Sequence, residues 1–207
     1  MEIVKHPHPA LRFKSVPVRQ IDANLRRTVR GMFDLMYAAK GIGLAANQVA
    51  LPLRVFVINL SGEDAVAEEE HVFINPVIRG RKGGEVAEEG CLSLPQLFAD
   101  VRRPSAVTIE AFDLDGAGFE MKLEELPARV VQHELDHLDG IMFTDKLTAP
   151  LSPENAARMA EFEKDHRDAQ NAGTLPPDDD LLARVREIAA AGVPPEVPAL
   201  AASPASP

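Results

Sequence analysis

LPARVVQHELDHLDG, residues 126–140, is the stretch on which the reading of this chain turns. Leu126, Val130, Val131, Leu135 and Leu138 recur at helical spacing, the pattern of an amphipathic helix over 126–138. Pro127 suits the first turn, where its missing N–H costs nothing, and Gly140 marks the stop. On such a helix His133 and His137 lie four residues apart, so their side chains stack on one face about a turn apart. Two imidazoles so placed can meet one cation at about 2.0–2.1 Å, with Glu134 beside it to take a proton from water. The alternative is a solvated helix face that happens to carry two histidines. Apolar residues on both sides of the motif argue against that, because they bury part of this surface and buried polar groups require partners.

A catalytic cation of this type keeps three protein ligands and one open position. Cys91 is the only thiol, set in EEGCLSLP at 88–95, and thiolate binds such cations strongly at about 2.3 Å. The competing reading of a lone cysteine is a small buried hydrophobe. A third segment, GIGLAANQ at 41–48, combines two glycines that permit close backbone approach with the Gln48 amide. By itself it reads as a tight turn before a strand; it lacks the Lys and Ser/Thr of a phosphate-binding loop.

Outward from these segments, Ile21, Leu25, Val29, Met32, Phe33 and Met36 predict an amphipathic helix over 22–40 with Asp22 as N-cap. LRVFVINL at 53–60 and HVFINPVIR at 71–79 read as strands joined by an acidic, solvated loop, SGEDAVAEEE. Residues 105–112 and 118–124 read as a hairpin through the Asp113-Leu114-Asp115-Gly116 turn. Ser152-Pro153-Glu154 opens a further helix to about Asp168. A short helix fits 178–190, and the Ala/Pro/Ser-rich stretch 192–207 is expected to be disordered.

The 207 residues, 45% of them hydrophobic, suffice for one well-filled core. A formal charge of −10 disfavours direct contact with a phosphate backbone. The single cysteine forms no internal disulfide and suits a reducing compartment, and the N-terminus carries no secretory or transit pattern, so a cytoplasmic protein beginning near Met1 is expected. No apolar run approaches the roughly 20 residues needed to cross a bilayer.

With GIGLAANQ at 41–48, EGCLS at 89–93 and QHELDH at 132–137 in this order and spacing, the chain closely resembles the peptide deformylase family. The resemblance runs over about residues 2–165 and includes Pro9-Ala10-Leu11-Arg12, Ile74-Asn75-Pro76 and Leu138-Asp139-Gly140. It implies an α+β fold with antiparallel β-sheets packed around the central HExxH helix, flanked by an N-terminal and a C-terminal helix. Residues 1–170 would then be the catalytic domain and 171–207 an Ala/Pro-rich extension. The implied reaction is hydrolysis of the N-formyl group from the formylmethionine of new polypeptides, releasing formate. The implied cofactor is one divalent metal ion on Cys91, His133 and His137, Fe2+ physiologically, with Zn2+, Ni2+ or Co2+ as substitutes.

The resemblance also implies roles: Glu134 as general base, and Gln48 with the backbone N–H of Leu92 as donors to the developing oxyanion. Gly43 and Leu44 would line the substrate backbone, which pairs like an added strand, and Val130 would wall the methionine pocket. Arg129 either points to solvent or rims that pocket. Gln96-Leu97-Phe98 departs from relatives in which a glycine often follows EGCLSLP, and this changes the pocket entrance. Transient docking at the ribosome follows from the substrate, yet residues 152–168 are not basic enough to suit RNA. Two rivals are an HExxH metallopeptidase, with His166 as a downstream candidate ligand, and a non-catalytic metal-stabilised binding module. Neither gives GIGLAANQ and EGCLS a purpose, and a structural metal needs no Glu134.

Overall fold

The computed structural model describes residues 1–61 and 66–195, so part of the acidic loop and the tail beyond Pro195 lie outside the described residues. The described residues form seven strands: β1 (Gly43–Ala45), β2 (Val55–Ile58), β3 (His71–Lys82), β4 (Glu85–Cys91), β5 (Leu94–Arg103), β6 (Ala106–Phe112) and β7 (Gly118–Glu124). Four α-helices accompany them: α1 (Ala23–Ala38), α2 (Glu125–Leu138), α3 (Pro153–Asn171) and α4 (Asp178–Ala191). One antiparallel sheet runs in the order β1-β2-β3-β6-β7, and β4 and β5 pair as a separate antiparallel ribbon. This is the α+β arrangement the family resemblance implies.

β2 explains the layering. All four of its residues are buried, because the sheet is covered on both faces here. Val55 and Val57 join Leu44 and Ile74 under the α1 side chains Leu25, Val29, Met32 and Met36. Phe56 and Ile58 point the other way, joining Phe73 and Ile109 beneath Ala128, Val131, Leu135 and Leu138 of α2. Phe56 and Phe73 stack at 4.7 Å between ring centroids. Each such fully buried side chain contributes about 1.5–3 kcal/mol, so α2 is fixed against the sheet before any cation is considered.

A third cluster, Leu94, Leu97, Val101, Met142 and Phe143, packs the β4–β5 ribbon against α3 through Met159 and Phe162. α4 buries Leu181, Val185 and Ala189 and lies on the short 3-10 turn Pro9–Arg12.

Several boundaries differ from the sequence expectation. The first helix begins at Ala23, its N-cap Asp22 accepting from Leu25 N at 2.8 Å. The second strand runs on to Lys82. GIGLAANQ is not a plain turn: Gly43–Ala45 is an edge strand, and Ala46–Val49 a 3-10 turn. The β4–β5 ribbon was not anticipated at all. Among the described residues no helix is long and apolar enough to cross a membrane.

α2 stops abruptly. Gly140 adopts φ +75, the Ile141 N–H returns to the Asp136 carbonyl at 2.9 Å, and a Cβ at 140 would lie 2.6 Å from the Arg12 carbonyl oxygen. Gly140→Ala combines a left-handed alanine with a backbone clash and is expected to cost about 2 kcal/mol or more, a fall of roughly 4–8 °C in Tm. Thermal unfolding followed by circular dichroism checks this; an unshifted Tm would show that the Arg12 segment yields freely.

Candidate metal centre

α2 and the β4–β5 ribbon each bring half of the site. Cys91 is the last residue of β4, and Leu92-Ser93 makes the two-residue turn into β5. Cys91 Sγ lies 3.2 Å from His137 Nε2, which lies 3.2 Å from His133 Nε2, and the three donor atoms all fall within 4.8 Å of one another. Ligands on a tetrahedral ion with ordinary Zn- or Fe-like bond lengths stand about 3.3–3.6 Å apart, so the spacing fits a cation. Burial alone would lower the His133 pKa, but hydrogen bonding to Cys91 and Glu89 carries it up to about 10. Burial, then the charges of His133 and Arg103, hold His137 well below the usual imidazole range.

Glu134 is buried, and its Oε2 finds no hydrogen-bond partner. Its Oε1 sits so close to β1 that a Cβ at Gly43 would lie 2.5 Å away; only glycine lets the carboxylate pass. Burial pushes the Glu134 carboxyl up to about 7, against the lowering influence of His133 and Arg103. Gln48 is held from both ends. Its Oε1 accepts from Ala45 N at 2.9 Å, and its Nε2 faces Cys91 Sγ at 3.4 Å and Ser93 Oγ at 3.2 Å. The neighbouring Asn47 Nδ2 donates to the His137 carbonyl, tying the turn after β1 to α2.

Behind the donors lies a buried ion network that the sequence reading missed. Glu89 accepts from Arg103 Nε at 2.5 Å and Nη2 at 2.8 Å, from Arg129 Nη1 at 2.7 Å, and from His133 Nδ1 at 2.9 Å. Burial would raise the Glu89 carboxyl, but hydrogen bonds from Arg103 and His133 bring it down to about 2. The His133 Nδ1–H pointing at a carboxylate leaves Nε2 free to turn to the centre. Arg103 also reaches Asp136 at 2.6 Å, and Asp136 is held in turn by Lys146. Arg129 therefore does not point to solvent. It is buried, with further bonds to the Val101 and Glu85 carbonyls, although part of it borders the cleft. The missed signal lay in the motif itself, since Glu89 is two residues before Cys91 and shares its face of β4.

A cleft of about 840 Å³ opens onto Glu134, Cys91 and His133. Ile42, Gly43, Leu92, Phe98, Leu126 and Val130 line it. Leu44 does not; its side chain is wholly buried under α1, so only its backbone is available along the β1 edge. His166 lies on α3 paired with Asp178 at 2.8 Å, and among the described residues the one His/Cys/carboxylate cluster suited to a cation is Cys91, His133 and His137.

A family model for polypeptide deformylase matches residues 1–152. A peptide deformylase of Rhodopirellula baltica is 43% identical over 186 residues, 90% of this chain and 92% of the relative. The chloroplastic peptide deformylase 1B of Solanum lycopersicum is 43% identical over 169 residues, 81% of this chain and 60% of the relative. Among solved structures, the peptide deformylase of Plasmodium falciparum superposes with a TM-score of 0.78 at 41% identity, covering 80% of this chain and 97% of that one. On the fold, the converging donors and these matches, the chain belongs to the polypeptide deformylase family.

Proposed function

We propose that this chain hydrolyses the N-formyl group of formylmethionine on newly made polypeptides, with Glu134 as base and Cys91, His133 and His137 as metal ligands. The observation that carries the residue roles is a buried, unpartnered carboxylate oxygen of Glu134 facing a cleft beside three converging donors. A divalent cation held there would polarise the formyl carbonyl and acidify a water molecule. Glu134 would accept a proton from the attacking water and return it to the departing amine. Gln48 Nε2 and the Leu92 N–H serve as oxyanion donors. The Gln48 amide is fixed by Ala45 and Ser93 before reaction, so little reorganisation accompanies the charge. The other products follow from mass balance: formate and a peptide with a free amine.

β1 has a neighbour, β2, on one side only. Its open edge at Gly43 and the Leu44 backbone suits an extended peptide added as a strand, with the methionine side chain against Val130. Residues 1–170 form the catalytic unit in this reading, and 171–207 an appendage. The cytoplasm is the proposed compartment, on the strength of the single thiol and the bacterial relative, although the tomato relative is chloroplastic. Contact with the ribosome would be transient and made without a basic face on α3.

Glu134→Ala should retain the metal while formate release from formyl-Met-Ala-Ser falls by roughly 10²- to 10⁴-fold, because only proton transfer is lost. Near-normal turnover would sink the assignment of the base. For the metal we propose Fe2+, with Zn2+, Ni2+ or Co2+ able to occupy the same donors. Anaerobic purification followed by elemental analysis should return iron in proportion to activity; stoichiometric zinc with full activity would refute iron.

A further inference from the structure

Six large apolar side chains stand exposed among the described residues, and two of them, Phe98 and Leu126, line the catalytic cleft. Phe98 is 52% exposed and Leu126 51% exposed. Leu126 opens α2, but Phe98 sits where strand geometry alone would not hold it. β4 and β5 pair regularly from Glu85↔Arg103 to Gly90↔Phe98, and the next pair is Cys91↔Leu94. Residues 95–97 therefore bulge out, and Gln96 takes φ +59, a left-handed conformation that costs a non-glycine residue of order 1 kcal/mol. That is also where the resemblance leads one to expect glycine.

α3 holds this bulge at three points. Arg158 Nη1 donates to Gln96 Oε1 at 2.8 Å, and Asn155 Nδ2 donates to the Phe98 carbonyl at 2.7 Å. Between them the Leu97 side chain is wholly buried in the cluster that includes Met159 and Phe162. With 96 and 97 fixed, the Phe98 ring lies over Gly90, where a Cβ would come within 2.6 Å of Cε1. The ring thus rests on the bare backbone next to the Cys91 ligand, with its outer face toward the cleft.

We propose that Phe98 is the wall by which this chain selects peptides carrying an apolar side chain downstream of the formylated methionine. Asn155 and Arg158 are positioning residues that act through β5. The proposal rests on the deformylase reading. It explains why half-exposed apolar surface is kept at the cleft mouth and why a left-handed glutamine is tolerated there. Its side chain supplies the acceptor that ties the bulge to α3, which glycine cannot.

The test measures formate release from formyl-Met-X-Z peptides in which X or Z is Ser, Ala, Leu or Phe, using the metal-loaded full chain. The parent protein should show kcat/KM rising about tenfold from Ser to Leu or Phe at one of the two positions. Phe98→Ala should flatten that gradient through KM, and Phe98→Leu should keep part of it. Arg158→Ala and Asn155→Ala should weaken it severalfold, again in KM with little change in kcat, and Arg158→Lys should restore most of it. A flat gradient in the parent protein, or one untouched by Phe98→Ala, overturns the proposal while leaving the deformylase reading standing. A gradient unchanged in both α3 variants overturns the positioning role. No formate from any peptide in the panel overturns both readings.

Discussion

The site depends on one buried carboxylate. Glu89 on the β4–β5 ribbon is shared among Arg103 of the same ribbon and Arg129 and His133 of α2, so the ribbon and the helix are joined through a largely buried charge network. Removing one partner of a buried ion pair costs about 3–5 kcal/mol, because the remaining charge is stranded. Two guanidinium groups converge on Glu89, so the ribbon has one acceptable register. A slip of one residue would turn both Glu89 and Cys91 to the opposite face and take the carboxylate from Arg129 and His133, leaving Arg103 with Asp136 alone. The constraint that neutralises the arginines is the same one that delivers the sulfur to the histidines.

The hydrophobic layers do the coarser work. α1 and α2 cover opposite faces of the sheet through alternating residues of β2, and this packing sets the depth of His133 and His137. Backbone approach then does what side chains could not. Gly43 brings β1 against Glu134, and the turn that follows places Gln48 at the sulfur. Glu134 and the Gln48 amide are both buried, while the cleft stays open toward the free edge of β1 and the apolar mouth at Phe98 and Leu126.

Much of this was legible in the sequence, for reasons that also explain what was not. α2 announced itself through its apolar period, its proline and its terminal glycine, and the β6–β7 hairpin through its turn. The ribbon stayed hidden because its inward residues Leu94, Leu97 and Val101 recur at three and four, a helical spacing produced by the bulge at 95–97. Its partner β4 is mostly charged or small and buries Glu89 where an apolar residue would have signalled a strand. Without the ribbon, Glu89 was only a letter in a motif, Arg103 carried no signal, and Arg129 looked out of place beside an apolar pocket. Leu44, which the resemblance places along the substrate backbone, keeps its side chain in the core and its backbone along the β1 edge.

The central claim is the mixed donor set, one thiolate from the ribbon and two imidazoles from the helix around one cation. X-ray absorption at the metal edge, recorded on the anaerobically purified protein, tests it directly. The account predicts one sulfur scatterer at about 2.3 Å together with nitrogen or oxygen scatterers at about 2.0–2.2 Å that include two imidazoles. A first shell without sulfur, or with a single imidazole, would contradict it.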